Sequence, residues 1–361
     1  MSEPIPKILV INPGSTSTKI AVFQGEVCLM SQTIRHYLDD LIHYQSVIAQ
    51  YEFRKDIIMG TLEMEGVNLS EIKIVMGRGG LTYPLESGIY EVDDRMLTHV
   101  RKGVLGQHAS NLGPLLANAI AHDIEGAMAY IADPVVTDEL LPIARISGHP
   151  RFERRSIFHA LNQKAVARMY ARSISKRYDE LNLIVVHMGG GVSIGVHEKG
   201  RVVDVNNALD GEGPFSPERS GTLPVGQLIE ACFSDNFTQE ELRQMVVGEG
   251  GMVAYLKTNS MIDIERDAKN GNEEAVKLIE AFVYQVAKAV GEMSTVLCGQ
   301  IDAILFTGGI AHSDQIIEQL KQRIQFLSKI VVFPGEDEMS AMALNARLML
   351  SGELKSKKYP H

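Results

Sequence analysis

Short apolar runs alternate along the chain with stretches in which apolar residues return every three or four positions. The first pattern predicts buried strands and the second amphipathic helices. Ile8-Leu9-Val10-Ile11, Ile20 to Phe23, Ile72 to Met76, Ala127 to Ala132, Leu183 to Val186, Ala303 to Phe306 and Ile330 to Phe333 read as strands. Helices are expected over Leu112 to His122, Phe158 to Tyr178, Glu273 to Leu297 and Ser340 to Leu350. The clearest is the third, with Ile279, Phe282, Val283, Val286, Val290 and Met293 on one stripe and Gly299 as a stop. Strands alternating with helices predict an α/β protein. A boundary is expected between Pro142 and Pro150, giving domains at 1–150 and 151–339, with 340–361 returning to the first. The polar tail from Lys355 to His361 is expected to fray.

Three strands end in small residues. Asn12-Pro13-Gly14-Ser15-Thr16-Ser17-Thr18-Lys19 joins two apolar strands through a hydroxyl-lined glycine turn. Its amides, Ser15, Ser17 and the charge of Lys19 suit an anion. His187-Met188-Gly189-Gly190-Gly191 makes a second such turn, and Ile20 and Val22 fall on Ile194 and Val196 at one common offset. Thr307-Gly308-Gly309-Ile310-Ala311 closes a third strand before a helix. Each alone is as well read as an ordinary tight turn. Together they suit one nucleotide, two turns holding its phosphates and the third its adenosine.

Composition narrows the field. The 361 residues suffice for two domains with proper cores, and 45% hydrophobic with 22% charged residues is an ordinary globular balance. A net charge of −10 disfavours nucleic acid and anionic membranes as partners, so an anionic substrate needs locally placed Arg and Lys. Three scattered cysteines form no CxxC pair, and no leader or membrane-length apolar run is apparent, which predicts a cytoplasmic location.

No GxxxxGK[ST] occurs, which excludes a Walker-type P-loop. Gly189-Gly190-Gly191 lacks the GxGxxG spacing of a dinucleotide fold and leads into a strand. What remains is the duplicated actin-like, ribonuclease H-like architecture of actin, heat-shock ATPases and sugar kinases, with a nucleotide cleft between the two domains. Most sugar kinases of that fold carry an Asp at the end of the first strand, where this chain has Asn12. INPGSTSTK, VMGRGG, GQHASNLGP, RRSIFHALNQKAVA, HMGGGVSIG, DGEGPFSPERSG, FTGGIA and FPGEDEM occur in that order. Together they resemble the acetate kinase family, with FSPERSG and VMGRGG pointing to its butyrate-type branch. The resemblance implies ATP-dependent phosphorylation of a short fatty-acid carboxylate such as butyrate or isobutyrate, commonly run in the ATP-forming direction. ATP/ADP and Mg²⁺ are the implied cofactors, and a homodimer or larger homo-oligomer the expected assembly.

The resemblance also assigns roles. Asp133 matches the family's active-site Asp, against the plainer reading of an Asp capping the Pro134 turn. Arg219 matches an arginine that stabilises the transferring phosphoryl group. His159 matches a transition-state histidine, against a backbone-satisfied core histidine, and His108 a further active-site histidine. Asn12 with Asp337 and Glu338 match the magnesium ligands, the acidic match being open by one residue. His187 to Gly191 should receive phosphates, and Gly308, Gly309 and Ile310 the adenosine. The family's substrate arginine falls on Val75, which leaves Arg78 as the nearest candidate for the carboxylate. Ser260-Met261-Ile262 replaces an Asp-Phe-Arg that contacts the nucleotide in acetate kinases. Gly77 replaces a Val that walls the methyl pocket, so a roomier acyl pocket is expected beside Arg78; the plainer reading is a glycine needed by the backbone.

Overall fold

The computed structural model describes residues 5–360, and the statements below concern those. Twelve strands form: β1 Lys7–Pro13, β2 Ser17–Gln24, β3 Val27–Arg35, β4 Ile72–Arg78, β5 Ile89–Glu91, β6 Met128–Ala132, β7 Asn182–Met188, β8 Val192–Glu198, β9 Arg201–Val205, β10 Ala303–Gly308, β11 Ile330–Pro334 and β12 Ser356–Lys357. Two compact units share the chain, Met1–Thr137 with Asp337–His361, and Asp138–Glu336. The first holds a seven-stranded sheet in the order β12-β5-β6-β4-β1-β2-β3, the second a five-stranded sheet in the order β11-β10-β7-β8-β9. In each, an antiparallel three-strand meander is followed by two parallel strands, β3-β2-β1-β4-β6 in one and β9-β8-β7-β10-β11 in the other. This is the duplicated actin-like α/β fold that the sequence predicts.

Ladder register makes the duplication concrete. Asn12 pairs with Lys19 and Pro13 with Thr18 in one hairpin, and His187 with Ser193 and Met188 with Val192 in the other. The second turn is one residue shorter, so His187 occupies the place of Asn12 and Ser193 that of Lys19.

Both sheets are covered on two faces, which is why their strands read as continuous apolar runs. In the second unit Ile184, Val186 and Met188 of β7 join Phe282, Val283, Val286 and Val290 of the helix Glu273–Ser294. The alternate residues Leu183 and Val185 pack on Val166, Ala167 and Tyr170 of the helix Ala160–Ser173. Each such side chain contributes roughly 1.5–3 kcal/mol on burial. Exposed ion pairs contribute about 0–1 kcal/mol, so the apolar stripes decide where the helices sit. In the first unit Leu9, Ile11, Ile20 and Val22 pack on Ile58, Leu62, Leu112 and Leu116.

The structure corrects three expectations. The helix expected over Phe158 to Tyr178 spans only Ala160–Ser173, because Ser175 turns left-handed at φ 54° and the Lys176 amide bonds back to the Ala171 carbonyl. The tail does not fray over its described length. β12 pairs with β5, Tyr359 is buried, and its hydroxyl bonds the His99 ring Nδ1 at 2.9 Å; His361 lies outside the described residues. Gly77 does not open an acyl pocket. A Cβ there would lie 2.3 Å from the Gly113 carbonyl oxygen and 3.1 Å from the Ala117 Cβ, so the glycine lets β4 lie against the helix Leu112–His122. No described helix is long and apolar enough to cross a membrane.

Candidate active site

The turn between β1 and β2 is closed by the Gly14 amide donating to the Ser17 carbonyl at 2.7 Å. Ser15 and Lys19 are exposed, and Ser17 is half-buried. Behind the turn lies Arg54, fully buried on the helix Tyr51–Met64. Its guanidinium donates to the carbonyls of Gly14 (2.7 Å), Ser15 (2.8 Å) and Ser17 (3.2 Å), to Thr18 Oγ1 and to Gln50 Oε1. No carboxylate among the described residues pairs with it. Burial pulls its pKa down to about 10, so it stays charged at neutral pH. A positive charge whose partners are all neutral oxygens therefore sits directly under a turn suited to an anion.

Asn12, at the end of β1, donates from Nδ2 to Glu338 Oε2 at 2.5 Å. Arg78, at the end of β4, grips both oxygens of Glu338 at 2.6 and 2.9 Å. Gly77 and Arg78 are successive strand residues, so they face opposite sides of the sheet, one toward the helix Leu112–His122 and the other toward Glu338–Leu350. Asp337 is exposed and caps that last helix, accepting from the Ser340 amide. Asp133, almost wholly buried just after β6, accepts from Ser87 Oγ at 2.6 Å and the Gly88 amide at 2.9 Å. Its φ of 38° is a strained value for a residue with a Cβ. The exposed His108 accepts from the Ser110 amide at its Nδ1.

The second unit gathers its candidates more tightly. The Gly189 amide closes the turn onto the Gly191 carbonyl at 2.9 Å. The segment carrying Arg219 folds over this turn, with Ser216 Oγ donating to the Gly190 carbonyl at 2.6 Å and accepting from the Arg219 amide. The Arg219 guanidinium lies where a Gly191 side chain would be: a Cβ there would fall 2.0 Å from Nη1 and 2.6 Å from Cζ. Its Nη1 also donates to the Ala208 carbonyl. Burial draws its pKa below the usual arginine value, opposed by Glu218 and Asp210. The rings of His159 and His187 stack at 3.8 Å and 12°. His159 Nδ1 meets Ser193 Oγ at 2.8 Å, and His187 Nδ1 meets Asn162 Oδ1 at 2.8 Å. Gly308, at φ 89°, has no room for a side chain, since a Cβ would sit 2.3 Å from the Met188 carbonyl oxygen. Gly308 and Gly335 exchange both amide hydrogen bonds at 3.0 Å, which brings Glu336 to 3.6 Å from His187 Nε2. Gly309 is exposed, with open space where its Cβ would be, and Ile310 is buried beneath it.

A family model described as the acetokinase family matches residues 149–333, just over half of the chain and nearly all of this second unit. The chain belongs to the acetokinase family. Carboxylate kinase chemistry with ATP comes with that membership. Among solved structures, the chain is similar to an acetate kinase of Porphyromonas gingivalis at 18% identity and TM-score 0.78, covering 96% of this chain and 100% of that one. A propionate kinase of Francisella tularensis matches at 20% identity and TM-score 0.73, covering 94% and 98%. An acetate kinase of Entamoeba histolytica matches at 16% and 0.76, covering 97% and 99%.

An acetokinase must hold a nucleotide, and the glycines suit one. Gly189, Gly190 and Gly191 keep the turn clear of side chains beside Arg219, and Gly309 offers bare backbone. Magnesium fits less directly. No group of three or more His, Cys, Asp or Glu among the described residues could hold a metal ion alone. Mg²⁺ commonly keeps several waters and uses one or two carboxylates with substrate phosphates, so an all-protein cage is not required. In the first unit the available oxygens are those of Asn12 and Glu338, with Glu338 engaged by Arg78; in the second, that of Glu336. Three residues escaped the sequence reading: Arg54, Glu336 and Ser193. Arg54 sits in an ordinary helix, and only contact with the turn reveals it. Glu336 is adjacent to the acidic pair that was read, and the Gly308–Gly335 pairing selects it for the second unit.

Proposed function

We propose that the chain transfers the γ-phosphoryl group of ATP to the carboxylate of a short-chain fatty acid, butyrate foremost, giving the acyl phosphate and ADP, and forms ATP in the reverse direction. The observation that carries this reading is the Arg219 guanidinium seated on Gly191, beside the stacked His159 and His187. A carboxylate with a pKa of about 4 is already ionised at neutral pH, so no general base is needed. Its oxygen forms the new bond to phosphorus as the bond to the β-phosphate oxygen breaks, and no proton changes hands. The transition state spreads negative charge over the equatorial oxygens. Arg219 and His159 are the donors placed for that charge, and the Gly189–Gly191 backbone holds the phosphates. In the first unit the turn backed by Arg54, with Ser15, Ser17 and Lys19, offers further donors, and Arg78 is the cation for the substrate carboxylate. That role requires Glu338 to share or release Arg78. Asp133 and His108 act as positioning groups. Gly308 to Ile310 take the adenosine side. In the first unit Asn12 and Glu338 would hold magnesium, which when bound would neutralise phosphate charge.

Support for butyrate comes from Phe215-Ser216-Pro217-Glu218-Arg219-Ser220-Gly221 and Val75 to Gly80, which resemble the butyrate-type branch. The test is hydroxylamine trapping of acyl phosphate with Mg-ATP across acetate, propionate, butyrate and isobutyrate. The proposal expects the highest kcat/KM with a four-carbon acid. A clear preference for acetate or propionate overturns the butyrate assignment and leaves the carboxylate kinase.

A further inference from the structure

β8 alternates Val192, Ile194 and Val196 with Ser193, Gly195 and His197, and the polar half is as deeply buried as the apolar half. That half faces the helix Ala160–Ser173, where Gln163 is fully buried. Gln163 Nε2 lies 3.1 Å from the Ser193 carbonyl and 2.8 Å from Ser193 Oγ, and its Oε1 lies 2.9 Å from His197 Nε2. His197 Nδ1 lies 2.6 Å from the Tyr178 hydroxyl, and Ser193 Oγ lies 2.8 Å from His159 Nδ1. Gly195 is what admits the carboxamide: a Cβ there would be 2.3 Å from Gln163 Oε1.

A backbone carbonyl can only accept, so it fixes the direction of the bonds from Gln163 through His197 to Tyr178. Facing the Ser193 carbonyl, Gln163 must present its NH₂, and Oε1 must face His197. His197 therefore carries its proton on Nε2 and accepts the Tyr178 hydroxyl at Nδ1. Burial holds the His197 pKa well below its usual value, which keeps the ring neutral. Ser193 Oγ accepts from Gln163, and the one acceptor in reach of its own proton among the described residues is His159 Nδ1.

We propose that Ser193, oriented by Gln163, His197 and Tyr178, fixes His159 as a neutral imidazole with its proton on Nε2. This rests on the reading above, in which His159 donates to the transferring phosphoryl group: Nε2 is then always a donor and never a bare acceptor facing phosphate oxygens. Ser193 and Gln163 are positioning residues.

Long-range proton–nitrogen NMR of histidine-labelled full-length protein reads the tautomer without reference to activity, with His159→Gln assigning the ring. Wild type should show His159 as one neutral tautomer protonated on Nε2, and Ser193→Ala should convert it to a mixture. Ser193→Thr should restore the wild-type pattern. Should Ser193→Ala fail to fold, Gly195→Ala, which displaces the Gln163 carboxamide, should give the same mixture. A wild-type ring protonated on Nδ1, or an unchanged tautomer in the folded variants, overturns the proposal. Steady-state kinetics separates it from the functional reading. The expected loss in Ser193→Ala is about 10- to 100-fold in kcat with little change in either KM. An altered tautomer with full turnover upholds the relay and counts against His159 as a phosphoryl donor.

Discussion

Arg219 owes its position to the absence of a side chain at Gly191, and Arg54 owes its effect to pairing with no carboxylate among the described residues. The first dependence makes Gly191→Ala a sharp probe. A methyl group there must push the guanidinium off the turn, so kcat should fall by roughly 10²-fold, the scale of a lost transition-state donor, while thermal stability changes little. Near wild-type turnover would show that Arg219 need not sit on the turn. For Arg54, replacement by Met leaves the Gly14 and Ser15 carbonyls without this donor, while the Ser17 carbonyl keeps the Gly14 amide. A buried polar group left unpaired costs about 1–3 kcal/mol. Urea denaturation of Arg54→Met should therefore show a stability loss of about 3 kcal/mol, and an unchanged midpoint would contradict the role given to Arg54. The glycine turns were legible as tight turns because small residues interrupt apolar strand runs there. Arg54 was not, because a lone arginine in a helix carries no local sign of what it will touch.

At the level of elements, apolar runs and stripes located the central strands and the long helix, since burial on both faces leaves a continuous signal. Along β8 the polar half is buried as deeply as the apolar half, which short apolar runs alone do not reveal. Chain ends mislead: Lys355 to His361 is polar, yet β12 completes a sheet edge and Tyr359 inserts its ring. Gly77 shows how a resemblance can assign the wrong reason to a residue. The contact with Gly113 makes it a packing glycine, so Gly77→Val forces backbone against backbone and should cost more than the 1–3 kcal/mol of ordinary overpacking. Low soluble yield or a large drop in Tm is the expected outcome, without any switch from butyrate to acetate. A stable Gly77→Val protein with that switch would restore the pocket explanation.

Across the whole molecule, two units with one strand pattern carry different chemistry at equivalent places: Asn12 where the second unit has His187, Lys19 where it has Ser193. Both units also bury histidines in neutral form. His36 bonds Thr18 Oγ1 at 2.8 Å, and burial with the nearby Arg54 charge lowers its pKa to about 4. His197 is likewise held well below its ordinary value, chiefly by burial. Such rings are neutral when folded and take up protons on unfolding, so their contribution is full above pH about 6.5 and is lost as pH falls from there toward about 4. Urea midpoints measured down through that window should decline, and His36→Gln should flatten the decline; a midpoint that rises on acidification would contradict both assignments. Arg219 is the group proposed to meet the transferring phosphoryl. Acyl hydroxamate formed from butyrate and Mg-ATP by the wild type and by Arg219→Ala, matched for folding by circular dichroism, tests it most directly. The account predicts robust product from the wild type and a loss of about 10²–10³-fold in kcat for the variant; equal turnover by the two proteins, or no acyl phosphate from any carboxylate, would contradict it.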